Sequence, residues 1–173
     1  MSCQVRSSVA RRFGMDVGGL QAADRHVEGV VDMMLDATSH YDQPLTAERL
    51  CAWHACLFPT ARSGMRKIRV GAWRDDSTGP MQALLDWFND GGVSTDLDAV
   101  LKAGLAHLWF VTIHPFDDGN GRIARAMADL ALARSEHSPQ RFYSMSAQIR
   151  QEHAQYYEIL EQTRRARWTS RHG

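Results

Sequence analysis

The segment with the clearest capacity for chemistry is a run of residues in the second half of the chain, His114-Pro-Phe-Asp-Asp-Gly-Asn-Gly-Arg-Ile-Ala-Arg125. Gly119 and Gly121 permit backbone torsions and close approach that side chains would block. A turn of this kind can point successive N–H groups at one anion, and a helix that begins there adds the positive end of its dipole. Arg122 and Arg125 share a helix face, and both can fork onto phosphate oxygens. The segment therefore predicts a site for a polyphosphate rather than for a single carboxylate.

Two side chains of this segment can act on a bound phosphate. Asp118 precedes the glycine turn and offers the carboxylate oxygen that Mg²⁺ prefers beside phosphate groups. His114 has a reference pKa of about 6.5, which suits the removal of a proton at neutral pH. Phe116 is expected to point inward and anchor the loop. Each residue alone also fits a well-capped connection between helices with Asp117 and Asp118 as solvated turn residues, but their combination favours the phosphate site.

Two predicted helices position the segment. Apolar residues from Leu97 to Val111 indicate a helix that is apolar on most sides, which is typical of a core helix, with Ser94 or Thr95 as its N-cap. This helix is expected to end near Ile113, because proline at position 115 disfavours the α conformation for His114. A second helix is predicted from about Asn120 to Arg134, where alanine and leucine are good helix formers.

The rest of the pattern is also mainly helical. One helix begins near Gln21, and another follows the N-cap Thr46 and ends at Pro59. A short helix covers Met81–Phe88, and a last helix covers about Ser146–Thr163. The alternation in Lys67-Ile-Arg-Val70 is the one strand or hairpin candidate. The predicted fold class is an all-α bundle with a small β element. We expect a weakly ordered lead-in at residues 1–20, one domain at 21–163 and a basic tail at 164–173.

Composition narrows the classes of function. The chain has 20 Lys+Arg and 20 Asp+Glu, which argues against a nucleic-acid partner bound through bulk charge. No apolar run is long enough for a membrane span, and the first residues lack the apolar core of a secretion signal, so no membrane partner and a cytoplasmic location are expected. Cys3, Cys51 and Cys56 form no disulfide framework. The stretch Cys51-Ala-Trp-His54-Ala-Cys56 matches no common zinc pattern and is interpreted as buried residues on a helix.

The run from His114 to Arg125 resembles the signature of the Fic family, His-x-Phe-x-(Asp or Glu)-Gly-Asn-Gly-Arg-x-x-Arg, at every specified position. A weaker resemblance extends over about Leu45 to Thr163. The resemblance to the Fic family implies a Fic-like helical bundle with a short β-hairpin. This hairpin, the flap, would hold a target protein by strand pairing. The resemblance also implies a protein adenylyltransferase that uses ATP with Mg²⁺ and acts on a Ser, Thr or Tyr hydroxyl of a target protein.

The resemblance implies a role for each residue of the run. His114 would deprotonate the acceptor hydroxyl, which attacks the α-phosphate as pyrophosphate leaves, and Asp118 would hold Mg²⁺ against the α- and β-phosphates. The anion hole would be formed by Gly119, Asn120 and Gly121, and the phosphate tail would be contacted by Arg122 and Arg125. Glycine at position 121 separates the chain from a phosphorylating toxin branch of the family, which has lysine there. Tyr156 and Tyr157 resemble a pair near the adenine, although two core tyrosines fit equally.

Two departures from the family pattern bear on activity. The segment Ile68–Arg74 is similar to the approach to the flap, but Gly79-Pro80 runs almost directly into the next helix, so the flap is shortened or lost. The family's inhibitory pattern, (Ser or Thr)-x-x-x-Glu-(Gly or Asn), is matched only loosely by Asp24–Gly29, so built-in inhibition is not expected. Three alternatives for regulation stay open: constitutive activity, control by a separate inhibitor or other partner, or a regulatory helix that lies elsewhere. Two alternatives stay open: a hydrolase that removes AMP, and a degenerate remnant that only binds nucleotide.

Overall fold

The computed structural model describes residues 25–74, 76–90 and 97–139, together with positions 151, 158, 161 and 162. Within these residues the chain forms five long helices and one antiparallel hairpin: α1 Arg25–Ser39, α2 Ala47–Leu57, β1 Arg62–Ser63, β2 Arg66–Lys67, α3 Thr78–Asn89, α4 Ala99–Ile113 and α5 Asn120–Glu136. This confirms the predicted all-α fold class with a small hairpin. The lead-in at 1–20 and the tail at 164–173 lie outside the described residues, as does most of the predicted helix Ser146–Thr163. None of the described helices has the length and hydropathy needed to cross a membrane.

Helix α5 occupies the centre of the bundle and packs mainly against α4 and α1. Its buried residues include a continuous run from Ala126 to Ala133. The alanines have short side chains, so neighbouring helices can approach closely. The prediction that α4 is the core helix is wrong for its first half, because Val100 is 64% exposed and Leu101 is 52% exposed. The apolar residues of α4 are therefore not all buried, because only one side of α4 faces α5.

The helix ends follow capping chemistry. Thr46 caps α2, with its hydroxyl accepting a hydrogen bond from the Arg49 amide at 3.2 Å, as predicted. The prediction for α4 is wrong, because its N-cap is Asp98 rather than Ser94 or Thr95. One oxygen of the Asp98 carboxylate accepts from two amides of the first turn, at 2.9 and 3.2 Å. A carboxylate at this position also interacts favourably with the helix dipole.

The hairpin begins earlier in the chain than predicted. The paired strands are β1 and β2, joined by a turn in which Gly64 has φ of 57°. The segment Ile68–Val70, predicted as strand, forms no ladder in the described structure. The alternation of polar and apolar residues that predicted a strand does correspond to alternating burial, with Ile68 buried, Arg69 exposed and Val70 half-buried. The Ile68 amide donates to the Ala61 carbonyl at 3.1 Å, and the Arg69 amide bonds to the turn between α4 and α5, as described below.

The stretch from Cys51 to Cys56 lies on α2. Cys51 is half-buried, whereas Cys56 is exposed, so the prediction that both cysteines are buried is wrong for Cys56. A helix turns about 100° per residue, so these two positions face different directions. No cluster of three or more metal-ligating side chains occurs among the described residues.

The close crossing of α1 and α2 generates a stability prediction. A Cβ atom added at Gly29 would lie 1.8 Å from the Cys56 carbonyl oxygen, a contact with rigid backbone. Gly29→Ala should therefore push the helices apart and lower the free energy of unfolding by about 2 kcal/mol. Gly104→Ala is the matched control, since its Cβ meets nothing within 4 Å. It should leave stability unchanged or raise it by up to about 1 kcal/mol. Urea unfolding midpoints measure both; equal midpoints for the two variants would contradict the proposed crossing.

Candidate active site

The turn that follows α4 presents His114 at the surface. The His114 amide donates to the Phe110 carbonyl at 3.0 Å, which closes the helix. The backbone of His114 then turns into the left-handed region, with φ of 55° and ψ of 56°. Its side chain is exposed rather than sealed in the core. The next carbonyl, of Pro115, accepts from the Arg74 amide at 2.6 Å, so the turn is fixed on both sides of the histidine.

Phe116 anchors the turn in an aromatic cluster and is fully buried, as predicted. The His54 ring from α2 lies parallel to the Phe116 ring, with centroids 4.1 Å apart and an interplanar angle of 5°. Trp73 packs on Phe116 at 4.8 Å in a tilted geometry. The turn is thereby joined to α2 and to the segment that follows the hairpin.

His54 is the residue that sequence reasoning missed. Its Nδ1 accepts a hydrogen bond from the Gly71 amide at 3.1 Å, which places the ring proton on Nε2. Nε2 is buried and completes no hydrogen bond within the described residues. Burial lowers the pKa of His54 and outweighs the opposite effects of the Asp118 backbone and of the Asp117 charge, so the ring stays neutral. The available signal was a histidine on the inward stripe of α2 formed by Leu50, Trp53 and Leu57.

Asn120 locks the backbone of the turn. Its side-chain oxygen accepts from the Phe116 amide at 3.0 Å, and its side-chain nitrogen donates to the Phe116 carbonyl at 2.8 Å. The residue is only 3% exposed. Both polar atoms of the Asn120 side chain are therefore already hydrogen-bonded within the protein. The group that Asn120 can offer to an anion is its backbone amide.

The two glycines of the run differ in their conformations. Gly119 has φ of 80°, and a Cβ atom there would lie 2.9 Å from the ring of Phe58, so a side chain is excluded on both counts. Gly121 is helical, so of the two properties that glycine permits, unusual torsions and close approach, its backbone uses no unusual torsion. The amides of Asn120 and Gly121 stand in the first turn of α5, where a helix has no acceptor of its own. They are the donors that this turn can direct at an anion.

The two aspartates connect the turn to the hairpin segment. One oxygen of Asp118 accepts from the Gly119 amide at 2.6 Å, and the other accepts from the Ser63 hydroxyl on β1. Asp117 accepts from the Arg69 amide at 3.0 Å. Partial burial raises the pKa of Asp118, but the bonds from Ser63 and Gly119 and the charge of Arg122 together lower it below its usual value. Asp118 is therefore ionised at neutral pH, and neither aspartate is simply a solvated turn residue.

Both arginines of the run contribute positive charge near the turn. The Arg122 guanidinium lies 4.9 Å from the centroid of the Phe58 ring, the same ring that borders Gly119. The Arg125 guanidinium folds back over the first turn of α5, with Nη1 3.9 Å from the Cβ position of Gly121. Both side chains are half-buried.

The structure thus brings together seven of the predicted site residues, namely His114, Asp118, Gly119, Asn120, Gly121, Arg122 and Arg125. Tyr156 and Tyr157 lie outside the described residues. The arrangement combines helix amides, two guanidinium groups, one ionised carboxylate and one exposed imidazole. Chemically it can bind a polyphosphate, contribute one ligand to a hard cation and exchange a proton with a group at the surface.

The role of His54 can be tested by separating its stacking from its hydrogen bond. His54→Phe keeps an aromatic ring against Phe116 but removes the acceptor for the Gly71 amide, and should cost about 1 kcal/mol. His54→Ala also loses the stack and should cost about 3 kcal/mol. Amide hydrogen exchange at Gly71 should accelerate in both variants. Unchanged exchange at Gly71 in His54→Phe would rule out the bond to Nδ1.

A second prediction concerns His107, which lies buried on the inner face of α4. Burial, and then the charge of Arg125, lowers the pKa of His107 from 6.5 to about 4. The unfolded chain therefore binds more protons than the folded chain between these values. The contribution of His107 to the free energy of unfolding should be greatest above a pH of about 6.5. As the pH falls from there to about 5, the free energy of unfolding should decrease by about 2 kcal/mol.

The control for this prediction is His107→Gln, compared by urea unfolding at a pH of about 7 and of about 5. The variant should show a clearly smaller loss, with a remainder due to His54, whose pKa is also lowered. The carboxylates of Asp36 and Asp118 do not interfere, because their pKa values lie below 3.8 and they stay ionised in this range. An identical loss in both proteins would show that His107 is not the source.

Comparison with known proteins agrees with this geometry. The sequence profile of the Fic/DOC family matches residues 44–132, more than half of the chain. Protein adenylyltransferase fic-1 of Caenorhabditis elegans is 41% identical over 59 residues, which make up 34% of this chain and 11% of that protein. Protein adenylyltransferase Fic of Nematostella vectensis is 28% identical over 152 residues, which make up 85% of this chain and 34% of that protein. The chain thus spans a minor part of the length of these relatives.

Solved structures show the same fold. Fic-1 of C. elegans (residues 134–508) aligns with a TM-score of 0.62 and 21% identity, covering 91% of this chain and 49% of that chain. A Fic domain containing signaling protein of Bacteroides thetaiotaomicron aligns with a TM-score of 0.61 and 23% identity, covering 90% of this chain and 63% of that chain. With the matched profile and the complete signature at the turn before α5, the chain belongs to the Fic/DOC family.

Proposed function

We propose that the chain is a protein adenylyltransferase that binds ATP with Mg²⁺ at the turn between α4 and α5 and transfers AMP to a Ser, Thr or Tyr hydroxyl of a target protein. The observation that carries this proposal is the meeting of the first amides of α5, both arginine side chains and the Asp118 carboxylate at one turn. Relatives that are 41% and 44% identical over 59 residues are named protein adenylyltransferases, which supports the same activity here.

The triphosphate would bind at the N-terminal end of α5. The amides of Asn120 and Gly121 have no intrahelical acceptors, and the helix dipole favours negative charge at this end. Arg122 and Arg125 add two guanidinium groups, which form charge-assisted hydrogen bonds with phosphate oxygens. The absence of a side chain at Gly121 leaves room for phosphate to approach the helix backbone.

The residues at the turn fit a magnesium ion bound together with phosphates. Asp118 is ionised, and although each of its oxygens accepts one hydrogen bond, each keeps a further lone pair. The described residues hold no group of three or more His, Cys, Asp or Glu side chains that could bind an ion, so Asp118 would act together with phosphate and water. Mg²⁺ commonly binds through one or two carboxylates, with phosphate and water completing its octahedron. Bound there, it would neutralise charge on the phosphates.

His114 would take the proton of the acceptor hydroxyl. The hydroxyl oxygen forms a bond to the α-phosphorus, the bond from that phosphorus to the bridging oxygen breaks, and pyrophosphate leaves with the electron pair. The imidazole is exposed at the end of α4, where a protein hydroxyl can reach it. Because the backbone on both sides of His114 is hydrogen-bonded, the base would already be positioned before the target binds.

The test is transfer of label from ATP to proteins of a cell lysate. Label on the α-phosphate should be incorporated and label on the γ-phosphate should not, which separates AMP transfer from phosphorylation. His114→Ala should lower the rate by about a hundredfold or more, the usual contribution of a general base. Calorimetry should show that this variant binds ATP–Mg²⁺ with an affinity close to that of the parent.

His137→Ala is the matched control, because His137 is also an exposed histidine in the left-handed conformation at the end of a helix. It should label as well as the parent. Equal labelling by His114→Ala would refute the base assignment. Nucleotide binding without transfer from labelled ATP, GTP, CTP or UTP would indicate a module that only binds. Release of AMP from a modified protein without added ATP would indicate hydrolysis.

A further inference from the structure

Exposed positive charge is concentrated on one segment beside the candidate active site. Every lysine and arginine that the described part of the chain shows as exposed lies between positions 62 and 74, and we call these five side chains the basic ledge: Arg62, Arg66, Lys67, Arg69 and Arg74. Asp76 is an exposed acidic residue close in sequence to the end of the ledge, and other exposed acidic side chains lie elsewhere on the described surface, for example Glu48, Asp86 and Glu136. Because the chain has 20 basic and 20 acidic residues, its overall charge does not explain the ledge.

Two half-buried arginines away from the candidate site, Arg49 and Arg134, serve the fold. Arg49 bonds to the Asp36 carboxylate at 2.8 Å and to backbone carbonyls, and Arg134 bonds to the carbonyls of Tyr41 and Gln43. Both of these side chains are half-buried. By contrast, the ledge side chains Arg62, Arg66 and Lys67 form no salt bridge within the described residues. Their charges are available to a binding partner.

The ledge is fixed to the catalytic turn mainly through its backbone. The Arg69 amide donates to Asp117 at 3.0 Å, and the Arg74 amide donates to the Pro115 carbonyl at 2.6 Å. The Arg74 guanidinium lies 3.5 Å from the His114 carbonyl, which brings the end of the ledge next to the proposed base. The backbone at Arg69 and Arg74 is therefore held beside the turn that carries His114.

We propose that the basic ledge docks an acidic segment of the target protein, so that aspartate or glutamate lies within a few residues of the acceptor hydroxyl. This inference rests on the proposed function. An acceptor hydroxyl at His114 would place neighbouring residues of the target along the ledge, where carboxylates are attracted and basic side chains are repelled. Met65 at the tip of the hairpin is 97% exposed and adds an apolar contact for the same segment.

An acidic protein segment fits better than a nucleic acid. A nucleic acid is bound by many cations that follow its phosphates, and its affinity depends on their number. The ledge supplies five cations on a segment of thirteen residues, whereas the remaining exposed charges of the described surface are acidic and would repel a long polyanion. A short acidic segment needs only the ledge itself.

The test maps the sites that the chain modifies in a cell lysate. The parent, R66E/K67E and a control are each incubated with ATP–Mg²⁺, and AMP-bearing peptides are identified by mass spectrometry. Parent sites should be enriched in Asp and Glu around the acceptor. R66E/K67E should lose these sites and favour acceptors flanked by Lys or Arg. The control A83E/G104E adds two negative charges at exposed positions of α3 and α4 and should keep the parent preference.

A second measurement separates target docking from ATP binding. For a peptide made from a strongly labelled site, replacing its acids by Asn and Gln should lower kcat/KM about tenfold with the parent and far less with R66E/K67E. The KM for ATP should be unchanged between these two proteins. Equal kcat/KM for acidic and neutral peptides would overturn the inference while the proposed function stood.

Two further outcomes are decisive. If the parent transfers no AMP to any lysate protein, the proposed function fails, and the inference fails with it. If the parent modifies sites without acidic enrichment but binds poly-uridine, and R66E/K67E does not, the ledge is a nucleic-acid surface and the acidic-target inference is overturned.

Discussion

The stack of His54 on Phe116 is the interaction on which the rest of the site depends. Phe116 lies in the middle of the turn between α4 and α5, and its ring is held 4.1 Å from the ring of His54 on α2. Its backbone is held from the other side by both polar atoms of the Asn120 side chain. Since the ring and the backbone are fixed independently, His114 and Asp118 project from a frame that has little freedom to move. Such preorganisation is the main contribution a protein can make to phosphorus-centred transfer.

His54 also joins this turn to the segment that carries the hairpin. Its Nδ1 accepts from Gly71, while the aspartates of the turn accept from Ser63 and Arg69. These bonds compensate for the brevity of the hairpin, because two residues per strand cannot position it alone. The sequence indicated a shortened flap, and the structure shows how a short hairpin is held beside the site by contacts to the turn rather than by its own ladder.

The local parts of the structure could be predicted from sequence, and the non-local parts could not. The end of α4, the start of α5 and the Thr46 cap depend on residues close in sequence, so proline, glycine and capping signals identified them. The link from His54 to Gly71 spans 17 residues, and the exposure of Val100 depends on which side of α4 meets α5. Neither leaves a signal in periodicity. The spacing of His114, Asp118, Arg122 and Arg125 was informative because all four lie within one turn and the start of one helix.

The positive charges of the molecule divide according to their surroundings. Arg49 and Arg134 are half-buried and hold the loop before α2 against the ends of α1 and α5 through backbone carbonyls, which partly replace the water they have lost. Arg122 and Arg125 are also half-buried, but their guanidinium groups lie at the open N-terminal end of α5, where a bound anion can complete their hydrogen bonding. The cations of the basic ledge remain in water, where a single pair contributes little and several together can steer a partner. Depth of burial therefore separates the arginines that fix the fold from the two groups with proposed roles: Arg122 and Arg125 in binding phosphate, and the basic ledge in selecting the protein that approaches His114.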